Sequence, residues 1–476
     1  MDQLTWTGAL GPYLNPVLMA AIAVAVVAFA LQVLRTFLRL VFRLSGVQMV
    51  PEAGPPAPGH SAPLDTADYL RLAMNLAFKV ALAVVLIYLA AGIVLQGPAK
   101  GIIGHISTLY LPVWIALIIT FALSMKFKRR LGLYGKLFDS SIGMIGFGIV
   151  MFWVFTAIFA DLLVTADPLT TLSGMKNKPP GTPLPDGTYW YLLGGDNLAR
   201  DVYSRMVLGA REVLKIAPAA TLFAFMVGIT LGLPSGYFGG KLDTVLAFIS
   251  NLVLAFPVIL LFYLLVTPEM VETGIPMYMA AVLFIFPVLF MIVLFNSRFH
   301  TQPPKRNLYV AITVVVGLWL YSGLAFNADP LGLVSMQPNI LIVFVSVVFV
   351  NSPTVYRIVR GLALDIQTRD YVAAAQTRGE GPWYIMLWEI LPNARGPLIV
   401  DFCLRIGYTT ILLGTLGFFG LGVSPESPDW GSTINAGRRL LSIAPHPAVV
   451  PALALMSLVL GLNLLADGLR EESLKD

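Results

Sequence analysis

The chain holds one cysteine, Cys403, set in an apolar run, so an internal disulfide is excluded. Its four histidines, His60, His105, His300 and His446, are scattered over 476 residues. None sits near cysteines or acidic groups with metal-ligand spacing, and no metal site is expected. Charge is also scarce. Asp, Glu, Lys and Arg make up 12% of the residues, about half the share of a soluble domain. With 57% of residues hydrophobic and a mean hydropathy of +0.80, too little polar surface exists to cover a body in water. The bulk solvent must be lipid.

A phosphate loop is missing too. The nearest approach, residues 236–243 (GYFGGKLD), has Ser235 in place of the first glycine. Leu242 follows Lys241 where a magnesium-holding Ser or Thr belongs. The chain is therefore not expected to be an enzyme or to hydrolyse ATP. Its start lacks a basic n-region and a cleavage site, and the first apolar run is too long for a signal segment, so a retained helix is expected. No internal repeat stands out.

What is abundant is long apolar sequence. A span needs about 20 mostly apolar residues, and about eleven runs meet that need. They centre on 16–42, 73–95, 107–125, 142–164, 213–237, 244–266, 278–295, 308–326, 340–358, 398–421 and 448–466. The expected fold is an all-α polytopic membrane protein. Basic residues cluster after the first span (Arg35, Arg39, Arg43) and after the third (Lys126, Lys128, Arg129, Arg130, Lys136). Further clusters follow the seventh (Arg298, Lys305, Arg306) and the ninth (Arg357, Arg360, Arg369, Arg378, Arg395). Alternating crossings put all of these on one face, which the positive-inside rule makes the cytoplasm. The N-terminus is then outside and the C-terminus inside. The net charge of +5 resides in these short loops, so nucleic acid is not an expected partner. The opposite loops are poor in lysine: 165–205, rich in Pro and Gly, and 422–447, with Glu426, Asp429 and Trp430. A Pro/Gly/Ala stretch at 51–63 reads as a cytoplasmic linker.

The most informative loop is 371–393, YVAAAQTRGEGPWYIMLWEILPN. An Ala-rich helix over 370–378 stops at Gly379. Gly381 and Pro382 break the chain, and a second amphipathic piece over 383–391 ends at Pro392. Small side chains on one face allow close approach of a partner. Anchoring of an ordinary interfacial helix by Trp383 and Trp388 explains the same residues.

This loop resembles the EAA motif of ATP-binding-cassette (ABC) importer permeases. Small residues (Ala373, Ala374, Ala375), a glycine four positions on (Gly379), then Ile390, Leu391 and Pro392 carry the likeness, with Tyr371 at its head. Ala373 stands where the motif has its acidic residue. The resemblance implies that the loop seats in a groove of an ATPase subunit. Other segments are similar to the dipeptide/oligopeptide/nickel permeases, C-type subunit. They are 194–201 (GGDNLARD) with Tyr203, Ser204, Arg205, Gly209, Ala210 and Arg211, then 236–243, 254–257 (LAFP), 418–422 (FFGLG), Trp430 with Gly431, and 463–470 (NLLADGLR). Members of that branch carry Gly where Ala199 stands. The likeness covers roughly 132–470.

The resemblance implies an inner-membrane component of a type I importer for short peptides or similar solutes. It implies a B-type permease, two ATPase domains carrying ATP and Mg, and an extracytoplasmic solute-binding protein as partners, in contact with membrane lipid. No cofactor is expected on this chain. The family core has six helices, here 142–164, 213–237, 244–266, 340–358, 398–421 and 448–466, within a permease domain at 131–476. Two parts fall outside it: an N-terminal region, 1–130, and a two-helix insertion at 268–339.

Three site readings remain. Asp196 is expected to cap a helix running through Arg211, with Arg200 and Asp201 as local ion-pair partners. Gly236, Gly239 and Gly240 are expected in one tight turn. Asp401 and Arg405, at i and i+4 in an apolar span, either line the solute path or form a self-neutralised pair with Arg405 snorkelling. Related permeases often have an acidic residue where Leu413 stands. An ion-coupled secondary transporter is the alternative function, and it would call for broken helices or charges in symmetry-related halves. A membrane-embedded enzyme would need a catalytic cluster that the sequence does not offer.

Overall fold

A computed structural model describes residues 2–44, 66–329, 331–334, 336, 338–421 and 427–473. The linker at 51–63, His60 and Glu426 lie outside the described residues. Among those described, ten helices are long and apolar enough to cross a membrane, or eleven if one bent pair counts as a span. The chain divides into two compact units.

The first unit joins residues 1–111 to residues 180–192. It contains α1 (Gly11–Leu44), α2 (Thr66–Val94), α3 (Gly101–Leu109) and a small hairpin, β1 (Thr182–Pro183) with β2 (Trp190–Tyr191). Helices α2 and α3 meet backbone to backbone at Gly92 and Gly104, where neither position has room for a Cβ. The first residues of the chain then reach the hairpin. The Leu4 amide donates to the Gly181 carbonyl at 2.9 Å. The Trp190 indole N–H donates to the Asp2 carbonyl at 3.0 Å, and the Gln3 side-chain amide donates to the Pro180 carbonyl at 3.3 Å.

The second unit holds the rest. Its helices are α4 (Leu111–Phe127), α5 (Ser141–Ile158), α6 (Val202–Phe238), α7 (Gly240–Leu254), α8 (Val258–Val266), α9 (Ile275–Leu283), α10 (Ile285–Arg298), α11 (Pro303–Phe326), α12 (Pro338–Ile366), α13 (Asp370–Thr377), α14 (Arg395–Phe419), α15 (Trp430–Arg438) and α16 (His446–Ser473). Its centre is the packing of α6 on α12. Gly228, Gly232 and Gly236 recur at four-residue spacing along α6 and face Val355, Val359 and Ala363 of α12. Small residues at that spacing let two helices approach within van der Waals contact of their backbones, the main attraction available where lipid competes with apolar side chains. Glycines join α5 to α16 in the same way, with Gly146 against Leu464 and Leu465, and Gly468 against Gly143.

Three expectations need correction. The run at 244–266 is not one straight helix. Residues 255–257 break it, and α7 and α8 diverge by 82°. Pro257 has no N–H for the ladder and biases Phe256 away from helical backbone. The run at 107–125 divides at Tyr110, and α4 starts at Leu111 with Pro112 in its first turn, where a missing N–H is harmless. Gly236 is not in the turn after α6 but inside the helix. Gly239 and Gly240, at φ +62° and +61°, make that turn alone.

Candidate functional site

The loop between α12 and α14 is built in two pieces. Helix α13 ends as the sequence requires. Gly379 takes φ +80°, its amide bonds the Gln376 carbonyl at 2.9 Å, and the Glu380 amide bonds the Ala375 carbonyl at 3.2 Å. This is a Schellman stop. Pro382 opens the second piece, and residues Ile385–Ile390 widen into a π-helical turn. Pro392 cannot donate to the Trp388 carbonyl, which accounts for the displaced ladder. An ion pair between Arg378 and Glu389, 2.9 Å, ties the two pieces together.

The loop has an anchored face and a free face. Val372, Ala375, Ile385, Met386 and Ile390 are buried and pack with Val359 and Ala363 of α12 and Leu233 of α6. Leu391 packs partly buried against the same cluster, and Pro392 is exposed. On the other face of α13, Tyr371, Ala373, Ala374, Gln376 and Thr377 are exposed. A Cβ built at Gly379 meets nothing within 4 Å. The glycine is thus demanded by backbone conformation, and the space in front of it lies open. A firmly seated helix that presents the small Ala373 and Ala374 between Tyr371, Gln376 and Thr377 is suited to docking.

The segment before α6 departs from expectation. Asp201, not Asp196, caps α6. Its carboxylate accepts from the amides of Tyr203 and Ser204 at 3.3 and 3.1 Å. It also accepts from the hydroxyls of Ser204 at 2.6 Å and Thr165 at 2.9 Å. Burial pushes the Asp201 carboxyl up and these donors pull it back. Asp196 organises the preceding turn instead, accepting from the amides of Leu198 and Arg200, both at 2.8 Å. Arg200 therefore pairs with Asp196, at 2.7 Å, and not with Asp201. Within that turn Ala199 sits at φ +63°, a conformation that costs an L-residue roughly 1 kcal/mol.

Arg205, quoted above only as part of a motif, is the organiser of this region. It is 1% exposed. Its guanidinium donates to Thr433 Oγ1 at 3.1 and 3.2 Å, to the Ser427 carbonyl at 3.0 Å and to the Pro168 carbonyl at 3.3 Å. One side chain thereby joins the 165–201 segment, the start of α6 and the turn into α15. Asp429 caps α15 through the Ser432 amide at 2.9 Å, and burial pushes its carboxyl up. The Trp430 indole closes over Gly209 and donates to the Met206 carbonyl at 2.9 Å. No sequence pattern gives Arg205 this role, because its three acceptors are distant in the chain and two are backbone carbonyls.

Within α14, Arg405 Nε reaches Asp401 at 2.7 Å, and both side chains are largely buried. Arg405 Nη1 lies 3.5 Å from Asn351 Oδ1 on α12. Asn351 in turn lies 3.4 Å from the Thr409 hydroxyl, which lies 3.4 Å from that of Thr221 on α6. The pair is a member of a polar seam across three helices, and its short bond stays within one helix. Among the described residues, no group of three or more His, Cys, Asp or Glu is placed to hold a metal ion.

A firmly seated loop with an open small-residue face, in a chain with ten or eleven candidate spans among the described residues, fits a membrane transport component that works with another subunit. Comparison with known families agrees: residues 228–471 match the binding-protein-dependent transport system inner membrane component family, and the chain belongs to it. The glutathione transport system permease protein of Pectobacterium atrosepticum is 30% identical over 287 residues, covering 60% of this chain and 72% of the relative. The dipeptide transport system permease protein of Alkalihalophilus pseudofirmus is 26% identical over 338 residues, covering 71% and 87%. That of Haemophilus influenzae is 26% identical over 328 residues, covering 69% and 88%. This protein is a permease subunit of an ABC importer and not itself an ATPase. The ion-coupled alternative is not favoured.

Proposed function

We propose that this chain pairs with a homologous B-type permease and forms with it a path for short peptides or peptide-like solutes. Relatives named for dipeptide and for glutathione share a solute with an amide bond between charged ends. The other partners are two ATPase domains, which bind ATP and Mg, and an extracytoplasmic solute-binding protein. The loop at 370–393 docks on an ATPase through Ala373, Ala374 and Gly379. Val372, Ala375, Ile390 and Leu391 carry the resulting motion into α12 and α6, as rigid-body coupling between two states. The observation that carries this reading is the one-sided burial of α13, with its small-residue face open.

The proposed orientation has an external N-terminus and a cytoplasmic C-terminus. Asp2 bonds Trp190, which supports one side for the chain start and the 165–205 loop. Asp196, Arg200 and Asp201 serve this reading by shaping the external segment. The regions 1–130 and 268–339 are additions to a six-helix core in the inner membrane. The Asp401–Arg405 pair, with Arg405 buried and Asp401 partly so, is read as a seam and not as path lining.

The test is co-purification of a tagged chain expressed with its partner subunits, with ATPase activity measured with and without the binding protein. Binding of the ATPases, lost on Gly379→Trp while the chain stays folded, supports the assignment. A folded chain that brings down no ATPase, under conditions that hold a control importer together, removes the docking role.

A further inference from the structure

The helices α10 and α11 belong to the stretch set outside the six-helix core, and nothing above gives them work. They do not simply fill space beside α6. An apolar pocket of about 410 Å³, open on one side, lies between them and α6 at the middle of the helices, lined by Phe223 and Met226 on α6, Val288 and Met291 on α10, and Val316 and Gly317 on α11. At the basic end the packing changes character. There Phe290, Val293 and Leu294 of α10 join the buried cluster that seats the loop after α13.

At that end the contact becomes specific and polar. The Trp388 indole N–H donates to Ser297 Oγ at 3.1 Å. Ser297 is itself buried, and its hydroxyl donates to the Leu294 carbonyl at 3.0 Å, so its lone pair is aimed at the indole. The Arg298 guanidinium lies 4.6 Å from the centre of the Trp388 ring, within cation–π range. His300, whose Nδ1 is held at 3.0 Å from the Ser297 carbonyl, meets the Tyr384 ring edge-on at 5.6 Å. Both aromatic residues lie in the second piece of the loop, which the Arg378–Glu389 pair fastens to α13. Ser297 and Arg298 at the end of α10, and His300 just beyond it, thus grip the segment that carries the docking helix.

We propose that α10 and α11 form a strut, and that Ser297, Arg298 and His300 are positioning residues for the loop, setting where α13 stands when an ATPase engages it. The strut acts on coupling and not on docking, since none of the three touches the exposed alanine face. This rests on the reading of 370–393 as the ATPase-docking loop.

The experiment uses the complete transporter in lipid nanodiscs, with three readouts on each variant: ATPase retained on purification, melting temperature, and the ratio of binding-protein-stimulated to basal ATPase rate. For Ser297→Ala combined with Arg298→Met, retention and melting stay at wild-type levels. The stimulation ratio falls about fivefold, the size that one hydrogen bond plus one cation–π contact allows. Arg298→Lys in the Ser297→Ala background recovers part of the loss. Trp388→Phe, which keeps the ring over Arg298 and removes the N–H, lies between. An unchanged ratio in the double variant overturns the strut. So does a fall in ratio that only tracks lost ATPase or a lowered melting temperature, since that is general packing. A wild-type chain that retains no ATPase overturns the docking reading itself, a result distinct from both.

Discussion

Asp401 and Arg405 stand one turn apart on α14 and pair at 2.7 Å, while every hydrogen bond that links them onward to another helix is 3.4 Å or longer. The ions therefore neutralise each other before they serve any neighbour. Losing one partner of such a pair strands a charge in low dielectric, at a cost of about 3–5 kcal/mol. Arg405→Met alone should destabilise strongly, and Asp401→Asn with Arg405→Met should recover most of that loss. Unfolding measured over the full double-mutant cycle checks this. Additive costs would show that the two do not act as a pair.

Gly379 separates two demands that usually coincide. Its φ of +80° is tolerated by asparagine far better than by other L-residues, while the empty space before it accepts any size. Gly379→Asn should leave the loop folded and ATPase binding weakened only a few-fold. Gly379→Trp should strain the turn by roughly 1 kcal/mol and abolish binding by bulk. Equal binding by both variants would place the docking surface elsewhere.

Ala199 holds a left-handed conformation at φ +63° inside the Asp196 turn. Ala199→Gly should relieve about 1 kcal/mol of strain, less what glycine adds to unfolded-chain entropy, and so raise thermal stability modestly. A lower melting temperature would mean that the alanine methyl contributes packing worth more than the strain.

His105 gives the first unit a pH dependence. Burial pushes its imidazole below the ordinary value, the Gly101 carbonyl opposes that, and Lys100 adds to it. A histidine with a depressed folded pKa contributes stability that is complete above its unfolded value, about 6.5, and is lost as pH falls through the folded value. Hydrogen exchange at the Leu4 amide, bonded to Gly181, should therefore speed up relative to its intrinsic rate between pH 7.5 and pH 5.5. His105→Gln should flatten the trend. Constant protection in the wild type would remove His105 from the stability of the unit.

The spans were legible because hydropathy is a property of composition, and the glycine stop after α13 because φ beyond zero selects the residue type. Other features were not, each for a physical reason. Asp196 and Asp201 offer the same side chain within five positions, and only the amides each one faces decide which caps α6. The bend at Pro257 was visible as a residue but not as an angle, since proline is tolerated inside helices elsewhere, at Pro218 and Pro353. The grip of Ser297 on Trp388 spans 91 residues and leaves no local pattern.

The bond from Trp190 to Asp2 also sets an order of events in synthesis. The two residues are 188 positions apart, so a ribosome working at roughly 5–20 residues per second separates them by about 10–40 s. Through that interval α1, α2 and α3 exist without the hairpin that completes their unit. Residues 2–4 have no partner in the hairpin until residues 180–190 have been made. A stall or truncation before residue 190 would leave this N-terminal unit unfinished.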